Sequence, residues 1–291
     1  MAAVVIFLIA AGGFWILFRS KKRSAWKEAK TSFPASYRNI LMERVGFYNT
    51  LSAEEKKRFE TEIQEFLLNH RVTGIDVKID DVDRVLVAAS AIIPIFQFPD
   101  WRYSNLFEVL IYPGTFNEKF ETSGKERAIL GMVGTGYMNG KMILSQKALR
   151  LGFSNDTDKR NTAIHEFVHL IDKEDGTIDG IPEALISREF ALPWLKLIEQ
   201  KMDEIHADDS DINPYGATDK SEFLPVVSEY FFERPKLLAT KHPELYKALE
   251  KMFKHDMEVR PLNQKRQEIR RNSACPCDSG LKFKHCCGSD D

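Results

Sequence analysis

The chain has 291 residues, 43% of them hydrophobic and 29% charged, a balance that suits a folded domain with appendages and excludes a mainly disordered chain. Lysine and arginine number 41 against 43 acidic residues, so the chain as a whole lacks the basic excess of a nucleic-acid-binding protein. All four cysteines, Cys275, Cys277, Cys286 and Cys287, fall at the extreme C-terminus, which excludes a disulfide-stapled body and points to a reducing compartment.

Residues 1–18 carry no charged side chain. As a helix they would reach ~27 Å, close to the ~30 Å hydrocarbon core of a bilayer. Arg19, Lys21, Lys22, Arg23 and Lys27 follow at once, and the positive-inside rule then sets the rest of the chain in the cytoplasm. A cleaved signal peptide would carry positive charge before its apolar run and small residues at its end; Phe14, Trp15, Leu17 and Phe18 occupy that end instead. The expectation is a single-pass anchor in the inner membrane over residues 1–24, with a cytoplasmic body over 25–262 and a linker and cysteine knuckle over 263–291.

Within the body, residues 51–68 open on Ser52 with Glu55 three positions on, the spacing of a capping box, followed by apolar residues at helical intervals. Residues 83–96 read as a buried helix. Residues 106–112 alternate and stop at Pro113 and Gly114, and residues 141–145 follow the turn Asn139-Gly140, so both read as strands. From about 158 to 173 the pattern is helical again, with Ile164, Phe167, Val168 and Ile171 as its apolar stripe, ended by Gly176 and Gly180. Helical segments dominate from 183 to about 257. The body is therefore expected to be α+β, mainly helical with a small sheet.

The helix at 158–173 carries HEFVH over residues 165–169. Histidines four apart share a helix face, so His165 and His169 can bind one ion, while Glu166, about 100° round, can reach a water held there. Zinc suits neutral imidazoles and in catalytic sites keeps a position open for water. A third protein ligand is needed, and three carboxylates compete. Glu222 lies three residues after Asp219, a candidate N-cap, and could be either a ligand or a plain capping-box residue. Glu229, seven further on and on much the same helix face, could be a ligand or the hydrogen-bond partner of a histidine N–H. Asp172, three beyond His169, could fill that partner role too. Asp179 sits in a GTID segment similar to the GTxD of aspzincins, but without the Tyr-Gly that completes that motif. Tyr215, seven residues before Glu222, could donate to a developing oxyanion.

The segments HEFVHLIDKEDGTIDGIP, YGATDKSEF and VVSEYFFERP, with VLIYPGTF and GKMILSQKAL upstream, resemble the family of zinc peptidases typified by Mlc titration factor A, over about residues 30–260. The resemblance implies a zincin-like fold, with His165, His169 and Glu222 as zinc ligands, Glu166 as general base and Tyr215 as a transition-state helper. Pro225 departs from an ideal ligand helix, since it removes a backbone donor. The tail RNSACPCDSGLKFKHCCG resembles the SEC-C zinc motif at the C-terminus of the SecA translocation motor. That resemblance implies a structural zinc held by Cys275, Cys277, Cys286 and Cys287, with His285 able to replace one of them. Lys282, Lys284 and Arg271 make the knuckle basic, as docking to an acidic protein or to RNA would need.

Two functions of different kind follow. The first is a zinc metallopeptidase acting on a peptide or protein substrate, with one catalytic and one structural zinc. The alternative is a membrane-tethered regulatory protein that uses the same fold to bind a partner such as a transcription regulator.

Overall fold

The computed structural model describes residues 26–123, 127–154, 159–258, 270–275 and 280–286. In chain order these form α1 (Ala35–Arg44), α2 (Gly46–Thr50), α3 (Ala53–Asn69), β1 (Arg71–Gly74), α4 (Asp81–Ile95), β2 (Glu108–Tyr112), β3 (Gly131–Val133), β4 (Lys141–Ser145), α5 (Gln146–Gly152), α6 (Thr162–Asp172), α7 (Arg188–His206), α8 (Lys220–Glu233), α9 (Pro235–Lys241) and α10 (Pro243–Phe253). The fold is mixed α+β, with helices predominating over a small sheet.

The sheet has the order β1-β2-β4-β3. β1, β2 and β4 run parallel, with Val72 opposite Val109 and Val109 opposite Met142, while β3 runs antiparallel to β4 with Met132 opposite Ile143. Because side chains alternate along a strand, the two faces bury different sets. Val72, Val109, Ile111, Val133, Met142 and Leu144 join the main core with the helices. Leu110, Tyr112 and Ile143 face a smaller cluster with Phe116, to which Met132 and Ile129 also belong.

α3 starts where its sequence says it should. Ser52 accepts from Glu55 N at 3.3 Å, and the Glu55 carboxylate returns the bond to Ser52 N at 2.9 Å. α4 is buried from Val85 to Ile95 and forms the floor on which α6 lies. A second capping box, Asp80 with Asp83, starts α4. Arg150 of α5 pairs with both of its carboxylates, at 3.0 and 2.7 Å, and so ties α5 to the beginning of α4.

The expected anchor, residues 1–18, lies outside the described residues. Among the described residues no helix is long and apolar enough to cross a membrane. This corrects the expectation of a single-pass inner-membrane chain: the helices that are seen owe their apolar character to burial against one another, as α4 does, and none presents an apolar surface of membrane length.

Candidate metal centre

α6 begins at Asn161, whose side chain accepts from Ile164 N at 3.1 Å and donates from Nδ2 to Gly152 O at 3.2 Å. Its first helical residue is Thr162, where the periodicity indicates a start at about 158; Lys159 and Arg160 lie outside the helix. An asparagine directly before an apolar helical run is a cap signal that the sequence offers. The apolar stripe is buried as expected: Phe167, Val168 and Ile171 are fully inaccessible and Ile164 nearly so. That burial leaves the opposite face of α6, with its two histidines, turned to α8.

On that face His165 Nε2 lies 3.0 Å and His169 Nε2 3.3 Å from the same oxygen, Oε2 of Glu222. Ligand atoms of these three residues all fall within 4.8 Å of one another. Asp219 caps α8 by accepting from Ser221 N at 2.9 Å, and Glu222 in the first turn turns its carboxylate to the histidines. α8 continues through Pro225 to Glu233.

Glu229, two turns further along α8, takes the other side of the first imidazole. Its Oε1 is 2.8 Å from His165 Nδ1, and its Oε2 accepts from the backbone N–H of Asn161. The Nδ1 proton is therefore used, so Nε2 is the nitrogen that can give its lone pair to a cation, which would take the place of the proton now shared with Glu222. Burial pushes the His165 ring toward its neutral form, but the Glu222 and Glu229 carboxylates outweigh it and raise its pKa to about 10. Glu222 is shifted well below the usual carboxylate range: burial opposes its charge, and the two imidazoles more than compensate. Two imidazoles and a carboxylate converging from one side, with negative charge in excess, match the donor set zinc takes in catalytic sites. The residues fit that ion.

Glu166 is buried, and burial raises its pKa, with Glu222 and Glu229 adding to the effect and the two histidines opposing it. It presses on β3, where a Cβ placed on Gly131 would stand 2.7 Å from both Cγ and Oε1 of Glu166. Only glycine leaves room for the carboxylate there, a feature that sequence reasoning missed. Tyr215 sits in the turn Pro214–Ala217, half-exposed, with its ring centroid 6.0 Å from that of His165. Burial, then the Glu222 and Glu166 carboxylates, push its phenol up to about 12.

Asp179, the third candidate carboxylate, is not brought to this cluster. It is exposed and accepts from Ile181 N at 3.0 Å within its own loop. Asp172 anchors that loop to α6 through Gly180 N at 2.8 Å. His169 Nδ1 and Asp172 Oδ1 are buried without a hydrogen-bond partner among the described residues. At the C-terminus, Ala274 bridges Lys282 and Cys275 N donates to Leu281 O at 2.7 Å, which brings buried Cys275 and Cys286 into one cluster with Phe283. His285 is exposed. Cys277 and Cys287 lie outside the described residues.

An HExxH helix whose histidines meet a carboxylate from a second helix defines a metallopeptidase-like centre. The chain belongs to the glucose-regulated metallo-peptidase M90 family, whose profile matches residues 18–254, and the SEC-C motif matches residues 271–289. It is similar to an uncharacterized protein of Synechocystis, slr2042, with 28% identity over 78% of this chain and 88% of that protein. Mlc titration factor A of Pectobacterium atrosepticum is 26% identical over 71% of this chain and 81% of its own length. That of Escherichia fergusonii is 27% identical over 68% and 78%.

Proposed function

We propose that this protein is a zinc-dependent peptidase that hydrolyses peptide bonds on a zincin-like scaffold, and that it carries a second, structural zinc in a C-terminal knuckle. The observation that supports the catalytic part best is the meeting of His165, His169 and Glu222 at one point, with buried Glu166 beside them. The body spans residues 25–262 and the linker and knuckle 263–291. In the knuckle, Cys275, Cys277, Cys286 and Cys287 are the ligands.

His165, His169 and Glu222 hold the catalytic zinc, and the ion supplies, when bound, the Lewis acidity that polarises a carbonyl and lowers the pKa of a water. Glu166 takes a proton from the attacking water and returns it to the leaving amine. Burial raises its pKa, which suits both tasks, since a carboxylate that holds a proton more firmly takes it from water more readily and can still pass it on. Tyr215, protonated at every physiological pH, donates its hydroxyl hydrogen to the oxyanion that forms on the substrate. Glu229 holds the His165 ring in the tautomer that leaves Nε2 free. The edge of β3, beside Glu166, offers backbone groups along which an extended peptide can pair.

Glu166→Gln removes the base and spares every ligand, so it should keep two zinc ions per chain while turnover on a peptide library falls ~10²–10⁴-fold. Zinc content and hydrolysis measured side by side test this; full turnover in the variant would end the enzyme reading. The name of the relatives, Mlc titration factor A, favours a second reading, in which the same scaffold binds a regulator. In that case wild type and Glu166→Gln would be equally inert toward peptides and equally able to bind the partner.

A further inference from the structure

Behind the metal centre, several segments that carry it converge on one carboxylate. Asp211 lies in the loop between α7 and the Tyr215 turn. Its Oδ2 accepts from the Tyr230 hydroxyl of α8 at 2.9 Å and pairs with Lys159 Nζ and Lys241 Nζ, each at 3.1 Å. Its Oδ1 lies 2.8 Å from His242 Nε2. Lys159 also donates to the backbone oxygen of Asp211, and its ammonium stands 4.5 Å from the Tyr230 ring centroid. Burial opposes the charge on Asp211, but these donors prevail and hold its carboxyl well below the usual range.

Two features connect this cluster to the site. Lys159 has φ +60°, a left-handed conformation that a non-glycine residue keeps only when its surroundings enforce it. It stands two residues before Asn161, where α6 is capped and where Glu229 takes the backbone N–H. Toward the other side of the site, Asp211 precedes Tyr215 by four residues. Between them Ile212 is buried in the core and the Asn213 side chain accepts from Tyr215 N at 3.1 Å, so little freedom separates the Asp211 carboxylate from the phenol.

We propose that Asp211 is a positioning residue for Tyr215: it ties the loop that delivers the phenol to the entrance of α6 and to α8, the two elements that hold His165 and Glu222. Tyr215 is half-exposed on a short turn, and besides the Glu222 carboxylate that its phenol meets, its distance from the substrate is set by how firmly that turn is fixed. Misplacement by about an ångström can cost ~10²-fold in rate.

The kinetic test rests on the peptidase reading and uses the full chain as Asp211→Asn, Tyr215→Phe and the double variant. Asp211→Asn should lower kcat about tenfold or more, with KM and zinc content unchanged. The double variant should be no slower than Tyr215→Phe alone, because the two residues act through one contact. Losses that multiply, or an Asp211→Asn variant with wild-type kcat, would overturn the proposal. If Asp211→Asn does not fold, Tyr230→Phe, which removes a single donor, takes its place: a smaller loss that vanishes in the Tyr215→Phe background is expected, and no loss, or one that persists, overturns it. A second measurement is independent of turnover. In protein labelled at tyrosine Cζ, the Tyr215 resonance, identified by its absence in Tyr215→Phe, should move in Asp211→Asn; an unmoved resonance overturns the proposal even if the protein is no peptidase.

Discussion

The His165 ring lies between two carboxylates of unequal duty. Glu222 approaches the nitrogens that face the site, whereas Glu229 touches only Nδ1 and the backbone of Asn161. Replacing them should therefore have different consequences. Glu222→Gln is expected to release the catalytic zinc, Glu229→Gln to weaken its affinity by ~10–100-fold, and Asp179→Asn to leave it unchanged. Metal titration of the three variants checks this, and a Glu222 variant that keeps zinc at wild-type affinity would remove it from the ligand set. At this scale the sequence is informative about local pairs and silent about distant ones. Histidines four apart on a helix share a face by geometry alone. No spacing rule could choose among Glu222, Glu229 and Asp179, because the choice depends on how α8 docks against α6. The Asp211 cluster was illegible for the same reason: its members lie 19 to 52 residues from it along the chain.

Elements with strong local signals lie where the sequence places them. α3 follows its capping box, and β4 spans residues 141–145 as the turn before it requires. β1 and β3 escaped notice. With four and three residues and a glycine in each, they have little strand preference of their own and are strands because β2 and β4 pair with them. On the proposed peptidase reading β3 matters most, since Gly131 makes the space that the Glu166 side chain occupies. Gly131→Ala should push the carboxylate away and lower turnover by tenfold or more, while zinc content stays at the wild-type level because no ligand is touched. Steady-state kinetics beside metal analysis reads both. Undiminished turnover would show that Glu166 works from another position.

For the molecule as a whole, stability should depend on pH through Glu62. This side chain of α3, 15% exposed, borders a cleft lined by Trp26, Phe66, Trp101 and Tyr103. Burial pushes its pKa up to about 7, against the opposing pull of Arg58 and Arg102. In the unfolded chain it ionises near 4.5. Below that value both states hold the proton and the group contributes nothing; as pH rises toward 7 the unfolded chain releases its proton first, so stability falls, and above 7 the full penalty stands. Glu62→Gln should thus unfold at higher denaturant than wild type at pH 8, by at most about 3 kcal/mol, with the gap closing by pH 4. A gap that persists at pH 4 would mean that the side chain acts through packing instead. The separation of the proposed metal donors along the chain has a kinetic corollary. His165 and Glu222 are 57 residues apart, with the whole of α7 between them. A refolding chain that has made α6 but not yet docked α8 offers two imidazoles and nothing more. On the proposed ligand set, high-affinity capture of the catalytic ion must wait for the last of these encounters, which makes the appearance of chelator-resistant metal beyond that held by the knuckle a clock for the docking of α8.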